Sequence, residues 1–228
     1  LTKQLSDKAW AVFQGLDGEG FAAALADGTV KAQLDEVNAA RAAQLATRKI
    51  QLTGVSMFPN HEEAALERKA RPAAPELGGL KVVRDSQVFE DLRDRSAAAR
   101  DAGNAPTVLL ACLGARRDFG GREGFTSNLL HVGGLDTIVA EGETPEDFAR
   151  QLTESGAKVA VLCSSAKVYA AQGVAVAEAL RAAGAETVLV AGQIKELGEG
   201  AEGAVDGNVF DGMNVVELLT TTLNKMGA

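Results

Sequence analysis

At 228 residues the chain is long enough for one large or two modest domains, with a core that needs no disulfide or metal staple. Apolar residues make up 46% and charged residues 24%, ordinary for a globular protein, while aromatics are only 4%, which favours close helix–sheet packing over an all-β sandwich. A net charge of −8 argues against nucleic acid or an anionic membrane as the partner, since both need a basic face, and no apolar run approaches the roughly 18–20 residues that span a bilayer. No basic leader opens the chain, so no signal peptide is expected, and a start at Leu1 reads as a processed product or a fragment. Cys112 and Cys163 both sit in apolar runs, as buried free thiols of a reducing cytoplasm do, and no CxxC pair starts a zinc site.

Residues 1–52 read as helical. Trp10, Phe13 and Leu16 fall at helical spacing, and a second stretch from Val30 to Leu52 carries Leu34, Val37 and Leu45 along one face. Residues 53–80 read as a linker or extended arm, with TGVSMFPN, a charged run, Pro59, Pro72, Pro75 and Gly78-Gly79. Residues 81–106 hold a linker helix whose stripe is Val88, Phe89 and Leu92, stopped by Gly103. From 107 to 228 short apolar runs alternate with helical stretches. Strands are predicted at TVLLACL, LDTIVAE, KVAVLCS and ETVLVAG, with a weaker one at AVDGNVF. Helices are predicted at 125–131, from Thr144, at 167–183 and at 214–226. Thr144 is placed as an N-cap, with Pro145 at the first helical position and Asp147 favouring the helix N-terminus. The pattern predicts an α/β, flavodoxin-like doubly wound five-stranded parallel sheet of order 2-1-3-4-5, covered on both faces.

In such a sheet a ligand lies beyond the carboxyl ends of the strands, at the switch point between the first and third. The loop read there, 114–124, carries Gly114, Gly120, Gly121 and Gly124 beside Arg116, Arg117 and Arg122. It matches neither GxGxxG nor GxxxxGK[ST]. One reading is a cradle for a phosphate or nucleotide; the other is a rigid turn whose arginines face solvent or a partner protein. Ser164 and Ser165 follow the third strand and either cap the next helix or touch a ligand. His61 lies in the charged arm, and His131 is explained by a favourable interaction with a helix C-terminus. No Ser/His/Asp or Cys/His set and no carboxylate pair is suggested, so no catalytic residue and no metal site are expected.

The run VLLACLGARRDFGGREGFTSNLLHVGGLDTIVAEGETPEDFARQLTESGAKVAVLCSS, with the preceding FEDLRDRSAAARDAG, closely resembles the C-terminal part of methylmalonyl-CoA mutase small (β) subunits. The similarity continues through AEALRAAGAETVLVAGQI and DGMNVVELLTTTLNKMGA. The first zone, AWAVFQGLDGEGFAAALADGTV to TGVSMFPN, resembles the tail of that family's TIM-barrel domain and the start of its linker. The resemblance therefore implies a fragment: a barrel tail over 1–52, a linker, and a cobalamin-binding-like domain over 107–228.

The function that the resemblance implies turns on one motif. Cobalamin-binding domains of mutases carry DxHxxG after the first strand, where the His coordinates cobalt and the Asp orients it. Aligned back from Gly134-Leu135, those Asp, His and final Gly positions are Arg117, Phe119 and Arg122 here. The Ser-x-Leu motif after the third strand survives in part as Ser164-Ser165-Ala166, and the later Gly-Gly pair is Ala191-Gly192. The expectation is a vestigial groove filled by side chains. The chain would then be a non-catalytic subunit holding no cofactor of its own. Its partner would be a large (α) catalytic subunit carrying adenosylcobalamin and interconverting (R)-methylmalonyl-CoA and succinyl-CoA. The alternative is a flavodoxin-like ligand-binding module that uses loop 114–124 for a phosphate, a nucleotide or base-on cobalamin.

Overall fold

A computed structural model describes residues 1–63 and 83–228. They fall into two compact units, whose described parts are residues 1–43 and residues 44–63 with 83–228.

The first unit is helical: α1 (Thr2–Glu19), α2 (Phe21–Ala26) and most of α3 (Thr29–Ala46). Gly20, at φ 83°, takes the left-handed turn between α1 and α2. Trp10 and Phe13 stack with ring centroids 5.3 Å apart and stay 59% and 52% exposed. Helix α3 ends at Ala46 rather than near Leu52, because Arg48 adopts a left-handed backbone, φ 56°, that no helix can continue.

The second unit is built on a sheet of five parallel strands: β1 (Thr107–Leu113), β2 (Asp136–Gly142), β3 (Val159–Cys163), β4 (Thr187–Ala191) and β5 (Gly207–Val209). Their order is β2-β1-β3-β4-β5, the flavodoxin-like arrangement that the alternating pattern predicts. Strands β1, β3 and β4 are central, which is why they read as continuous Val/Leu/Ala runs buried on both sides.

Three helices cover one face: α4 (Gln87–Asp101), α5 (Arg116–Val132) and α9 (Val215–Met226). Phe89, Phe119, Leu129, Leu219 and Leu223 pack there against Val108, Leu110, Cys112, Val161 and Cys163. The opposite face carries α6 (Pro145–Ser155) and α8 (Val174–Ala182), whose Phe148, Leu152, Val176 and Leu180 meet Leu109, Ala111, Leu162 and Val190. Helix α6 begins as the sequence predicts. Thr144 Oγ1 accepts from the Asp147 N–H, the Asp147 carboxylate accepts from the Thr144 N–H, and Pro145 fills the first helical position. Those bonds, with Arg150, hold the Asp147 carboxyl down at about 2.

Two helices differ from expectation. Helix α5 starts at Arg116, nine residues before the predicted Phe125, so residues 116–124 are helix and not loop. The Asp118 carboxylate caps its start by accepting from the Ala115 N–H at 3.1 Å. Three interior glycines each cost about 1 kcal/mol of propensity, but the buried face of Phe119, Thr126, Leu129 and Leu130 outweighs that. The helix predicted at 167–183 is α7 (Ala166–Val168), a π-helical turn (Tyr169–Gly173) and α8 in succession. A short 3₁₀ turn (Ile194–Leu197) follows β4.

Cys112 and Cys163 lie opposite one another in the β1–β3 register, buried and free. The Cys163 hydrogen bond, then burial, push the Cys112 thiol pKa far up. No described helix is long and apolar enough to cross a membrane.

Residues 47–63 form a strap with a single bridge between Thr53 and Met57. Three side chains fasten it. The Arg48 guanidinium lies 5.3 Å from the Phe125 ring centroid, and Arg48 is only 6% exposed. Arg93 on α4 donates through Nε to the Val132 carbonyl and through Nη2 to that of Val55, at 3.0 and 2.6 Å. His61 stacks on His131 of α5. The arm predicted over 53–80 is thus bound to the domain as far as residue 63; its remainder lies outside the described residues.

Candidate ligand edge of the sheet

The carboxyl ends of β1 and β3 diverge to opposite neighbours, which is where a doubly wound sheet opens a ligand crevice. Here that space holds protein. Tyr169, fully buried in the π-helical turn, bonds across the neighbouring ends of β3 and β4, beside the β1–β3 opening. Its phenolic oxygen accepts from the Ser164 N–H at 2.8 Å and lies 2.8 and 2.9 Å from the Leu162 and Ala191 carbonyls, one per strand end of β3 and β4. The Ser164 hydroxyl donates to the Leu113 carbonyl at 2.7 Å and so ties β3 to β1.

Arg122 lies over this plug. Its guanidinium sits 5.2 Å from the Tyr169 ring centroid, donates through Nη1 to the Ala191 carbonyl at 2.8 Å, and pairs through Nη2 with Glu196 at 2.6 Å. Gly192, at φ 125°, makes room for it: a Cβ there would stand 2.5 Å from Arg122 Nη1. Glu196 also accepts from the Gln193 N–H at 2.9 Å.

Charge and burial compete at these groups. Burial pulls the Arg122 pKa down, but Glu196 and Tyr169 outweigh it and the net shift is upward. Burial pushes the Glu196 carboxyl up, but the Gln193 N–H and the Arg122 guanidinium bring it below the usual range. Burial raises the Tyr169 phenol. Over Tyr169, Arg122 is thus a paired cation in a hydrogen-bonded closure.

Of the residues predicted to line the groove, Arg122, Ser164 and Gly192 take part in the closure, while Phe119, one turn before Arg122 on α5, is completely buried in the core beneath that helix. Arg117 is exposed on α5, and its neighbour Arg116 spreads over the Phe119 ring and pairs with Glu123 at 3.5 Å. Ser165 occupies the N-cap position of α7 with no side-chain capping bond, and Ser164 is spent on Leu113, so neither serine side chain caps that helix. The Gly120, Gly121 and Gly124 backbone is helical, so neither a loop cradle nor a rigid turn forms over those residues. Tyr169 and Glu196 are the two members that sequence reasoning missed. Tyr169 is the one tyrosine of the chain, set in an Ala-rich stretch, and that isolation was the available signal. Among the described residues no three His, Cys, Asp or Glu side chains could hold a metal ion.

Residues 1–116 match the family model described as methylmalonyl-CoA mutase, and the chain belongs to that family. It is 48% identical over 231 residues to a methylmalonyl-CoA mutase small subunit of Propionibacterium freudenreichii subsp. shermanii, and 41% identical over 233 residues to one of Streptomyces virginiae. A small subunit of Porphyromonas gingivalis is 26% identical over 236 residues. The first two alignments take in all of this chain but 36% of the relative, so the chain spans about a third of the length of the curated relatives it matches.

Proposed function

We propose that this chain is part of a non-catalytic small subunit of a methylmalonyl-CoA mutase, and that its sheet edge does not take cobalamin. Its partner on this reading is a large subunit carrying adenosylcobalamin and interconverting (R)-methylmalonyl-CoA and succinyl-CoA. The observation that carries the proposal is the Arg122–Tyr169–Glu196 closure over Gly192. Base-off cobalamin needs an imidazole to reach cobalt and an open slot for the nucleotide tail, and base-on cobalamin, which needs no protein imidazole, still needs open room at the edge. By the family resemblance Phe119 falls at the imidazole position, where it is buried and has no lone pair to offer, and Tyr169 with Arg122 closes the ends of β3 and β4. The residues present do not fit the group, so no chemical step is assigned to this chain. Cytoplasmic residence accords with two free, buried thiols.

The test is a titration of the purified chain with hydroxocobalamin and adenosylcobalamin, read by visible absorbance after desalting. No cobalamin should be retained. Retention at one equivalent, with or without a base-off spectrum, overturns the proposal. Phe119→His should likewise retain none, because Tyr169 and Arg122 still close the slot.

A further inference from the structure

We propose that the stacked pair His61–His131 is an acid-operated clasp, holding the end of the strap on the domain at neutral pH and releasing it when both rings are charged. The two rings are the only histidines of the chain. Their centroids lie 4.2 Å apart with planes 3° from parallel. One comes from the strap and the other from the last turn of α5, so the stack is a bond between separate elements, not a local turn.

Among the described residues these groups face the pair. His61 Nε2 lies 2.7 Å from Asp136 Oδ1 at the start of β2, and the same oxygen accepts from Arg100 Nη2 of α4 at 2.8 Å. The charged groups that act on His131 are His61 and Asp136. Its Nε2 meets two hydroxyls, Thr137 Oγ1 at 3.2 Å and Ser127 Oγ at 3.4 Å. On the strap side Glu63 acts on Arg93.

The asymmetry makes a switch. A neutral His61 donates to Asp136, and a charged one pairs with it, so the stack tolerates one proton. A second proton must go onto His131, where burial and the neighbouring His61 oppose it and the Asp136 oxygen is already shared between two donors. Two imidazolium rings face to face at this spacing repel, and separation of the strap relieves them. His131 stands in the last turn of α5, and there burial, with the neighbouring His61, lowers its pKa. The release is confined to the strap end, because Arg93 and Arg48, which hold residues 48–55, stay charged throughout.

The experiment uses the full chain, ¹⁵N-labelled, between about pH 7.5 and pH 5. Two histidine Cε1–H resonances report the protons, and heteronuclear NOE values report the strap. The expected result is two separate titration steps, with the NOE of Asn60–Glu63 falling over the lower step while Gly54 and Val55 keep theirs. His131→Phe keeps a stacked ring that cannot charge and should abolish the fall. His61→Gln should move the His131 step up toward 6.5. An NOE that does not change with pH, an equal fall in His131→Phe, or a His131 step indifferent to His61→Gln overturns the proposal.

Discussion

The two ends of the sheet are closed in opposite ways. At the carboxyl ends a guanidinium, a phenol and a carboxylate lock together over β3 and β4. At the amino end of β2 a carboxylate, a guanidinium and two imidazoles hold a strap against α5. The first cluster lies over fully buried side chains and fills a space where related folds put a ligand. The second is partly exposed, with His61 and Asp136 side chains at 21% and 32%, and fastens a segment that lies outside the sheet. The carboxyl end is therefore a structural plug, and the amino end is an adjustable fastening. Burial sets how much each interaction weighs, and the choice of titratable group sets whether the cell's pH can reach it.

The largest expected difference between the ends comes from shape. Phe119→Ala removes a fully buried ring from the core beneath α5, the helix that carries Arg122, and should cost about 3–5 kcal/mol in urea unfolding. His61→Ala at the other end removes a partly exposed ring and should cost less than about 1 kcal/mol. Equal losses would break the distinction. Tyr169→Phe comes next. It keeps the ring but strips the hydroxyl from the Ser164 N–H and the Ala191 carbonyl, and should cost about 1–3 kcal/mol, read the same way.

How far each end was legible in the sequence follows the same division. Strand order, the two apolar faces and the start of α6 were all readable, because hydrophobic period and capping chemistry are local signals. The early start of α5 was not. Gly120, Gly121 and Gly124 read as loop, and their helix is imposed by long-range burial of Phe119 and Leu129 on the sheet. The groove positions Arg122, Ser164 and Gly192 were found through family resemblance, but their partner Tyr169 was not, since a contact across 47 residues leaves no spacing to read. His61 and His131, 70 residues apart, were invisible as a pair for the same reason.

Acid should separate the ends by pH window. Protons favour the unfolded chain wherever it holds them more tightly. His131 has its folded pKa below the unfolded 6.5, so its contribution is complete above 6.5 and is lost as pH falls through that value. Glu196 is depressed below 4.5 and Asp136 below 3.8, so their contributions are lost only under more acid conditions. The urea midpoint should therefore soften first as pH falls below about 6.5, and His131→Phe should flatten that stretch while leaving the drop below 4.5 in place. A first drop that survives in His131→Phe would assign it to some other group.

The smallest contrast sits at two helix starts on the same rim. Thr144 and Ser165 are both hydroxyl residues at N-cap positions, and composition alone would score them alike. Only Thr144 closes the reciprocal bonds with Asp147; Ser165 makes no side-chain cap. Thr144→Ala should cost about 1 kcal/mol, and Ser165→Ala a few tenths at most, by denaturant titration of each variant. A comparable loss from both would mean that Ser165 caps α7 in solution. The Ser164 hydroxyl, which already spans β1 and β3, would then share its task of ordering the strand end with its neighbour.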